Sequence, residues 1–233
     1  MSGRRLTAGV LGGMGPAATI DFMARVLRAA EARSDQDHVR MIVDQNPLAP
    51  DRNAAAAGRG PSPGPVLAEM ARGLERAGAD FLVMACNTAH GWEAEVRAAT
   101  RLPFVSIVAE TMAEVGEARR VGLLAADGCL NAGLYQRAFA GRGVQALVPQ
   151  PATQARFMDL IYAIKRGDTG PEARAAMRGI ADELVAAGAE TLVAACTEVP
   201  LVLEEAAAPL VNTTDVLARR TVAYALGREP LPE

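Results

Sequence analysis

Basic charge is in short supply in this chain. Its 24 lysines and arginines are outnumbered by 27 aspartates and glutamates, for a formal net charge of −3, and the arginines are scattered instead of forming the stripe that displaces phosphate counterions. General nucleic-acid binding is thereby excluded. Histidine is scarcer, with two residues, and the three cysteines make no Cys-x-x-Cys pair. A zinc-type ligand set is missing, and a reducing, cytoplasmic setting without a metal is expected. No apolar run reaches membrane-spanning length. The segment from Leu6 to Leu11, preceded by Arg4 and Arg5, breaks at Gly12 and Gly13, too early for a signal-peptide core.

What remains is a chain of 233 residues, half of them apolar, able to bury a substantial core. Within it the stretch Ala77-Gly-Ala-Asp-Phe-Leu-Val-Met-Ala-Cys86-Asn-Thr returns as Ala187-Gly-Ala-Glu-Thr-Leu-Val-Ala-Ala-Cys196-Thr-Glu, its cysteine in the same register 110 positions later. A second echo joins Gly9-Val-Leu-Gly-Gly-Met-Gly15 to Gly122-Leu-Leu-Ala-Ala-Asp-Gly128. These echoes mark two copies of one α/β unit. Each cysteine follows an apolar run of the length of a buried parallel strand. Both therefore fall at strand carboxyl ends, where open α/β sheets collect ligands, and Thr88 or Thr197 is placed to start the next helix.

Strands and amphipathic helices alternate almost throughout, the pattern of a doubly wound parallel sheet. The first unit reads strand 6–11, helix 16–32, strand 39–44, helix 65–77 and strand 80–85. The second reads strand 120–125, helix 131–140, strand 144–148, helices 153–165 and 171–187, and strand 190–195. Residues 58–65, rich in glycine and proline, form a loop at the site edge or a surface connection. A short strand at Leu210 and Val211 and a helix from Thr214 have no earlier counterpart, which places 209–233 with 1–112 in a first lobe and leaves 113–208 as a second.

Two thiols on opposite faces of one carbon suit inversion of configuration. One removes a proton as thiolate, and the other delivers a proton to the far side. With a free-thiol pKa near 8.5, roughly a tenth is thiolate around pH 7.5, so acid and base forms are both within reach. A helix N-terminus after each cysteine would lower the thiolate pKa further. Taken singly, Cys86 or Cys196 reads as a small buried hydrophobe; the shared register favours the paired reading.

Gly-Val-Leu-Gly-Gly-Met-Gly-Pro near the start, Cys86-Asn87-Thr88-Ala89-His90 in the middle and Cys196-Thr197-Glu198 near the end resemble the aspartate/glutamate racemase family, in its aspartate racemase branch. Asn46-Pro47, Pro50-Asp51-Arg52, Ile161-Tyr162 and Lys165-x-Gly167 extend the likeness over nearly the whole chain. The resemblance implies an α/β fold of two pseudo-symmetric flavodoxin-like lobes with parallel sheets, an active site in the cleft between them, a homodimer, and racemisation without cofactor or metal. It makes Cys86 and Cys196 the acid/base pair. Asn87 and Thr88 are suited to the α-carboxylate of an amino-acid substrate, with Thr197 as a donor from the opposite lobe and Glu198 to balance charge beside Cys196. Arg52 and Lys165 are implied for the distal carboxylate, a task matched to arginine's bidentate fork, with Arg166 as the alternative to Lys165. Met14 and its glycines let the first loop approach the substrate.

Some positions depart from the family pattern or stay open. Ala126-Asp127-Gly128-Cys129 stands where the aspartate racemases carry threonines, removing two hydroxyl donors, and Asp127 would repel an acidic ligand if it pointed inward. Cys129 reads as a threonine replacement; Gln45 and Leu48 replace polar residues. His90 either tunes Cys86 or packs, and Tyr135 either lines the cleft or packs. Aspartate is the expected substrate, with glutamate or a broader set of amino acids as the alternative. Two other classes stand beside it. One is a two-cysteine diacid isomerase forming a thioether. The other is a non-catalytic dinucleotide binder, since Gly13-x-Gly15-x-x-Ala18 fits a relaxed fingerprint, although Pro16 interrupts it and Asp44 lies beyond the usual interval.

Overall fold

The computed structural model of the protein describes residues 5–232; Arg4 and the outermost ends of the first-lobe range lie outside them. The first unit runs β1 (Ala8–Gly12), α1 (Pro16–Ala30), β2 (Met41–Gln45), α2 (Arg52–Ala56), α3 (Gly64–Arg76), β3 (Phe81–Met84), α4 (Glu93–Ala99), β4 (Phe104–Val105) and α5 (Ile107–Glu114). The second runs β5 (Arg120–Leu123), α6 (Asp127–Asn131), α7 (Leu134–Ala140), β6 (Gln145–Leu147), α8 (Pro151–Lys165), α9 (Pro171–Ala186), β7 (Thr191–Ala194), β8 (Leu210–Asn212) and α10 (Thr213–Ala225). The strands form two four-stranded parallel sheets, ordered β2-β1-β3-β4 and β6-β5-β7-β8. This is the flavodoxin-type order, twice. No helix among the described residues is long and apolar enough to cross a membrane.

The duplication is visible atom by atom. A Cβ on Gly9 would lie 2.7 Å from Leu82 Cδ2 and 2.8 Å from the Cβ of Ala79, with Leu74 next; a Cβ on Gly122 would lie 2.6 Å from Leu192 Cδ2, with Ala189 and Leu184 next. The same three neighbours recur 110 positions on. Only glycine lets the last turn of α3 or α9 settle this close to the central strand. Side-chain alternation then sets where the thiols point. In β3 and its extension, Phe81, Val83 and Ala85 face the α1 side, while Leu82, Met84 and Cys86 face α3. In the copy, Val193 and Ala195 face α7, whereas Leu192, Ala194 and Cys196 face α8 and α9.

The elements following the cysteines differ from the expected helices. They are short 3-10 turns, Thr88–Trp92 and Val199–Leu201, the second containing Pro200, which lacks an N–H to donate. The helix read at 131–140 is two helices separated by Gly133, at φ +59°. The short strand and helix near the end do have an earlier counterpart, β4 and α5. They also divide between the lobes: β8 pairs with β7 in the second sheet, whereas Leu217, Ala218, Val222 and Ala225 of α10 join the core of the first. The helix α5 makes the reverse crossing at its end, where Met112 and Val115 enter the second lobe's core. At the boundary Arg219 of α10 reaches Glu114 of α5 with both terminal nitrogens, at 3.4 and 3.2 Å, and Tyr224 donates to Glu110 Oε1 at 2.7 Å.

Candidate active site

The carboxyl ends of β1, β3, β5 and β7 converge on a small cleft between the lobes. Cys86 and Cys196 both line it, as do Met14, Arg52, Asn87, Thr88, Lys165, Thr197 and Glu198. Both cysteines are buried, Cys86 at 5% exposure and Cys196 at 6%.

The two sulfurs have unlike surroundings. Cys196 Sγ donates to Glu198 Oε2 at 3.1 Å, and the other oxygen of Glu198 pairs with Lys165 Nζ. Thr197 Oγ1 donates to the same carboxylate at 3.4 Å. Burial, and after it the Glu198 charge, push the Cys196 thiol well above its ordinary pKa, while Lys165 and the Glu198 backbone N–H pull the other way. The expectation that a following helix lowers this pKa is thus overturned at Cys196: the element is a three-residue turn, and a carboxylate sits beside the sulfur. Burial also opposes the charge on Lys165, but Glu198, with Cys196 and Cys86 behind it, outweighs that and raises the ammonium's pKa. Cys86 is free and buried, with no such carboxylate hydrogen-bonded to its sulfur among the described residues.

Arg52 opens α2, which Asp51 caps by accepting from the Ala54 N–H at 2.8 Å. Its Nη1 donates to the carbonyls of Ala49 and Pro50 at 3.0 and 2.8 Å, fixing the guanidinium, while Nε is buried without a partner. The residue itself lines the cleft, with its guanidinium held in place by these two carbonyls. Lys165, not Arg166, lines the cleft. Asn87 is 1% exposed, and its amide is held on both sides: Oδ1 accepts from Tyr135 and Nδ2 donates to Thr213. Its side chain is less available to a substrate than that of Thr88, which lines the cleft.

The open positions now have places. Tyr135 is fully buried and stands behind the cleft wall. His90 is a buried brace: Nδ1 lies 2.8 Å from the Cys86 carbonyl, and Nε2 accepts from the Ile107 N–H at 3.1 Å, which fixes the proton on Nδ1. Burial lowers its pKa and keeps it neutral. Burial pushes the Cys129 thiol up to about 12 and sets it in the core, away from acid/base chemistry. Asp127 accepts from Gln154 Nε2 at 2.7 Å and does not line the cleft. Gln45 and Leu48 do not line it either, and Leu48 is 87% exposed. In the glycine loop the Gly13 N–H donates to Thr19 Oγ1 at 2.9 Å, so that amide is already engaged inside the protein.

Sequence reasoning passed over Asn53, which lines the cleft and ties the lobes together. Its Oδ1 accepts from the Gly128 N–H at 2.9 Å, and its Nδ2 lies 3.4 Å from the Tyr162 hydroxyl. The available signal was Asp51 ahead of Arg-Asn-Ala-Ala-Ala, an N-cap followed by helix formers, which places Asn53 on a first turn facing inward. Ala126 and Ile161 complete the apolar lining.

Three comparisons bear on this arrangement. A family model described as Asp/Glu/Hydantoin racemase matches residues 11–221. The chain is 27% identical over 230 residues to the broad specificity amino-acid racemase RacX of Bacillus subtilis strain 168, covering 92% of this chain and 96% of that one. Among solved structures, the Picrophilus torridus aspartate racemase matches with a TM-score of 0.86 at 28% identity, covering 97% of this chain and 96% of that one. The glutamate racemase of Francisella tularensis, solved in complex with D-glutamate, matches with a TM-score of 0.71 at 13% identity over 98% of this chain and 84% of that one, a likeness of fold.

Proposed function

This chain belongs to the Asp/Glu/hydantoin racemase family, and from that premise we propose that it interconverts the enantiomers of an amino acid through Cys86 and Cys196, with aspartate as the substrate and no cofactor. One observation carries the reading: equivalent strands of the two lobes each deliver a cysteine to one cleft. In one direction the Cys86 thiolate takes the Cα proton and the Cys196 thiol gives its own to the opposite face; in the other the roles exchange. Each turnover moves one proton from carbon to sulfur and one from sulfur to carbon, so no redox partner is needed. Glu198 accepts the thiol proton's hydrogen bond at Cys196, and Lys165 balances the carboxylate. The guanidinium of Arg52, fixed at the cleft wall by the Ala49 and Pro50 carbonyls, supports binding of a distal carboxylate. Thr88 is the hydroxyl donor available for the α-carboxylate, and Thr197 serves it by turning from Glu198.

A second reading, a broader amino-acid range, has its own support: Ala126 lines the cleft where hydroxyl donors would serve an acidic substrate, and Lys165 is already paired. A chiral chromatographic screen of amino acids with reduced protein and no added cofactor tests both. Aspartate turnover is expected, lost in Cys86→Ala and in Cys196→Ala with the fold retained by circular dichroism. Near-normal turnover by either variant overturns the cysteine pair. Arg52→Ala is expected to impair acidic substrates far more than neutral ones; equal impairment removes the distal-carboxylate role. A homodimer, the family expectation, is checked by analytical ultracentrifugation.

A further inference from the structure

A line of buried hydrogen bonds runs behind the cleft from one cysteine to the other. Tyr135 on α7, fully buried in the second lobe, donates from its hydroxyl to Asn87 Oδ1 at 2.6 Å. Asn87 directly follows Cys86 in the first lobe. Its Nδ2 donates to Thr213 Oγ1 at 3.1 Å, and the Thr213 hydroxyl donates to the Ala194 carbonyl at 2.8 Å. Ala194 closes β7, two residues before Cys196. Tyr135 is 0%, Asn87 1%, Thr213 0% and Ala194 0% exposed, so water cannot stand in for any link. Burial raises the Tyr135 pKa well above the ordinary phenol value, so the hydroxyl stays a donor across the working range.

Transfer of a proton through one carbon between two sulfurs tolerates little error in their separation, since a misplacement of about 1 Å costs on the order of a hundredfold in rate. The sulfurs sit on different lobes, and Cys86 is followed by a short 3-10 turn that His90 ties to α5 of its own lobe only, so the distance to the other lobe needs a separate tie. We propose that Tyr135 is a positioning residue for racemisation, its hydroxyl fixing Asn87, and with it Cys86, at a set distance from the strand that carries Cys196. The proposal rests on the two-cysteine reading above. Tyr135 does not touch the substrate; it acts through Asn87 and Thr213.

Tyr135→Phe keeps the ring and removes the tyrosine's tie to Asn87, leaving the one through Thr213. Racemisation and Cα deuteration are measured together in deuterium oxide. In the wild-type protein solvent deuterium enters mainly the inverted product, because the second thiol completes the transfer. In Tyr135→Phe kcat is expected to fall about ten- to hundredfold with KM little changed, and the ratio of deuterium in recovered substrate to deuterium in product to rise. The thiol that took the proton exchanges it with solvent and returns a deuteron to the same face before the far thiol delivers. Thr213→Val is expected to raise the same ratio, and Thr213→Ser, which keeps the hydroxyl, to restore it. A merely structural role lowers the melting temperature and the active fraction but leaves this ratio unmoved. An unchanged ratio in Tyr135→Phe, with Cys86→Ala and Cys196→Ala both inactive, overturns the strut alone. Turnover surviving in either cysteine variant, or none in the wild type, overturns strut and cysteine pair together.

Discussion

Glu198 is placed between a thiol and an ammonium, and its charge acts on both. Its carboxylate helps push the Cys196 pKa upward, after burial, while Lys165 acts in the opposite sense. Glu198→Gln removes the anion and leaves the Lys165 cation facing the sulfur, so both changes favour the thiolate. In a Cys86→Ala, Cys129→Ser background, the thiolate absorbance near 240 nm is expected to rise at a lower pH in Glu198→Gln than with Glu198 present. An unchanged or higher midpoint sinks this account. Much at this scale was legible in the sequence. Strand parity and the shared register brought Cys86 and Cys196 to one cleft, and motif likeness named the residues beside them. The hydrogen bond that occupies Glu198 was not legible, because it joins the end of α8 to the loop after β7, and no local pattern encodes a contact of that span. The same limit hid the engagement of the Asn87 amide from both sides.

At the scale of elements, α2 and α6 close the cleft by direct contact, and Gly128 is the point of closest approach. A Cβ there would lie 2.7 Å from Thr88 Cγ2, 2.8 Å from Asn53 Oδ1 and 3.2 Å from the Arg52 carbonyl. A side chain at this position would not fit the present lobe spacing. Gly128→Ala is expected to destabilise the protein by about 1–3 kcal/mol through overpacking and to lower turnover more than that alone implies, because the strained contacts are cleft residues. Urea melts combined with initial rates check it; wild-type rates in a destabilised Gly128→Ala protein would separate this contact from the site. Alternating strands and long amphipathic helices were readable because their periods are regular over many residues. The pair β4 and α5 was not: Phe104–Val105 is two residues long, too short to show a period. The turns after the cysteines likewise escaped, since Thr88 and Thr197 look like helix caps until Pro200 and the His90 brace to α5 are considered.

Over the whole molecule, the reading of residues 209–233 as a first-lobe segment met a division between strand and helix: β8 completes one sheet and α10 covers the core of the other. The sequence held the strand and the helix but not the crossing, because the apolar face of α10 is the same whichever lobe it covers. This crossing, with α5 running the other way, predicts that the lobes unfold together. Fluorescence of Trp92, the single tryptophan, and far-ultraviolet circular dichroism are expected to give superimposable urea transitions. A separate phase seen only by circular dichroism would show the second lobe unfolding on its own.

Under the two-cysteine reading proposed above, the Glu198 carboxylate hydrogen-bonded to Cys196 makes a near-symmetric molecule handed in its kinetics. In an achiral solvent the mirror-image forms of a single-centre substrate have equal free energy, so catalytic efficiency must be identical from either side. Turnover number and half-saturation carry no such constraint. With the two proposed thiols in such unlike surroundings, one enantiomer is expected to be turned over faster and held more loosely, by the same factor.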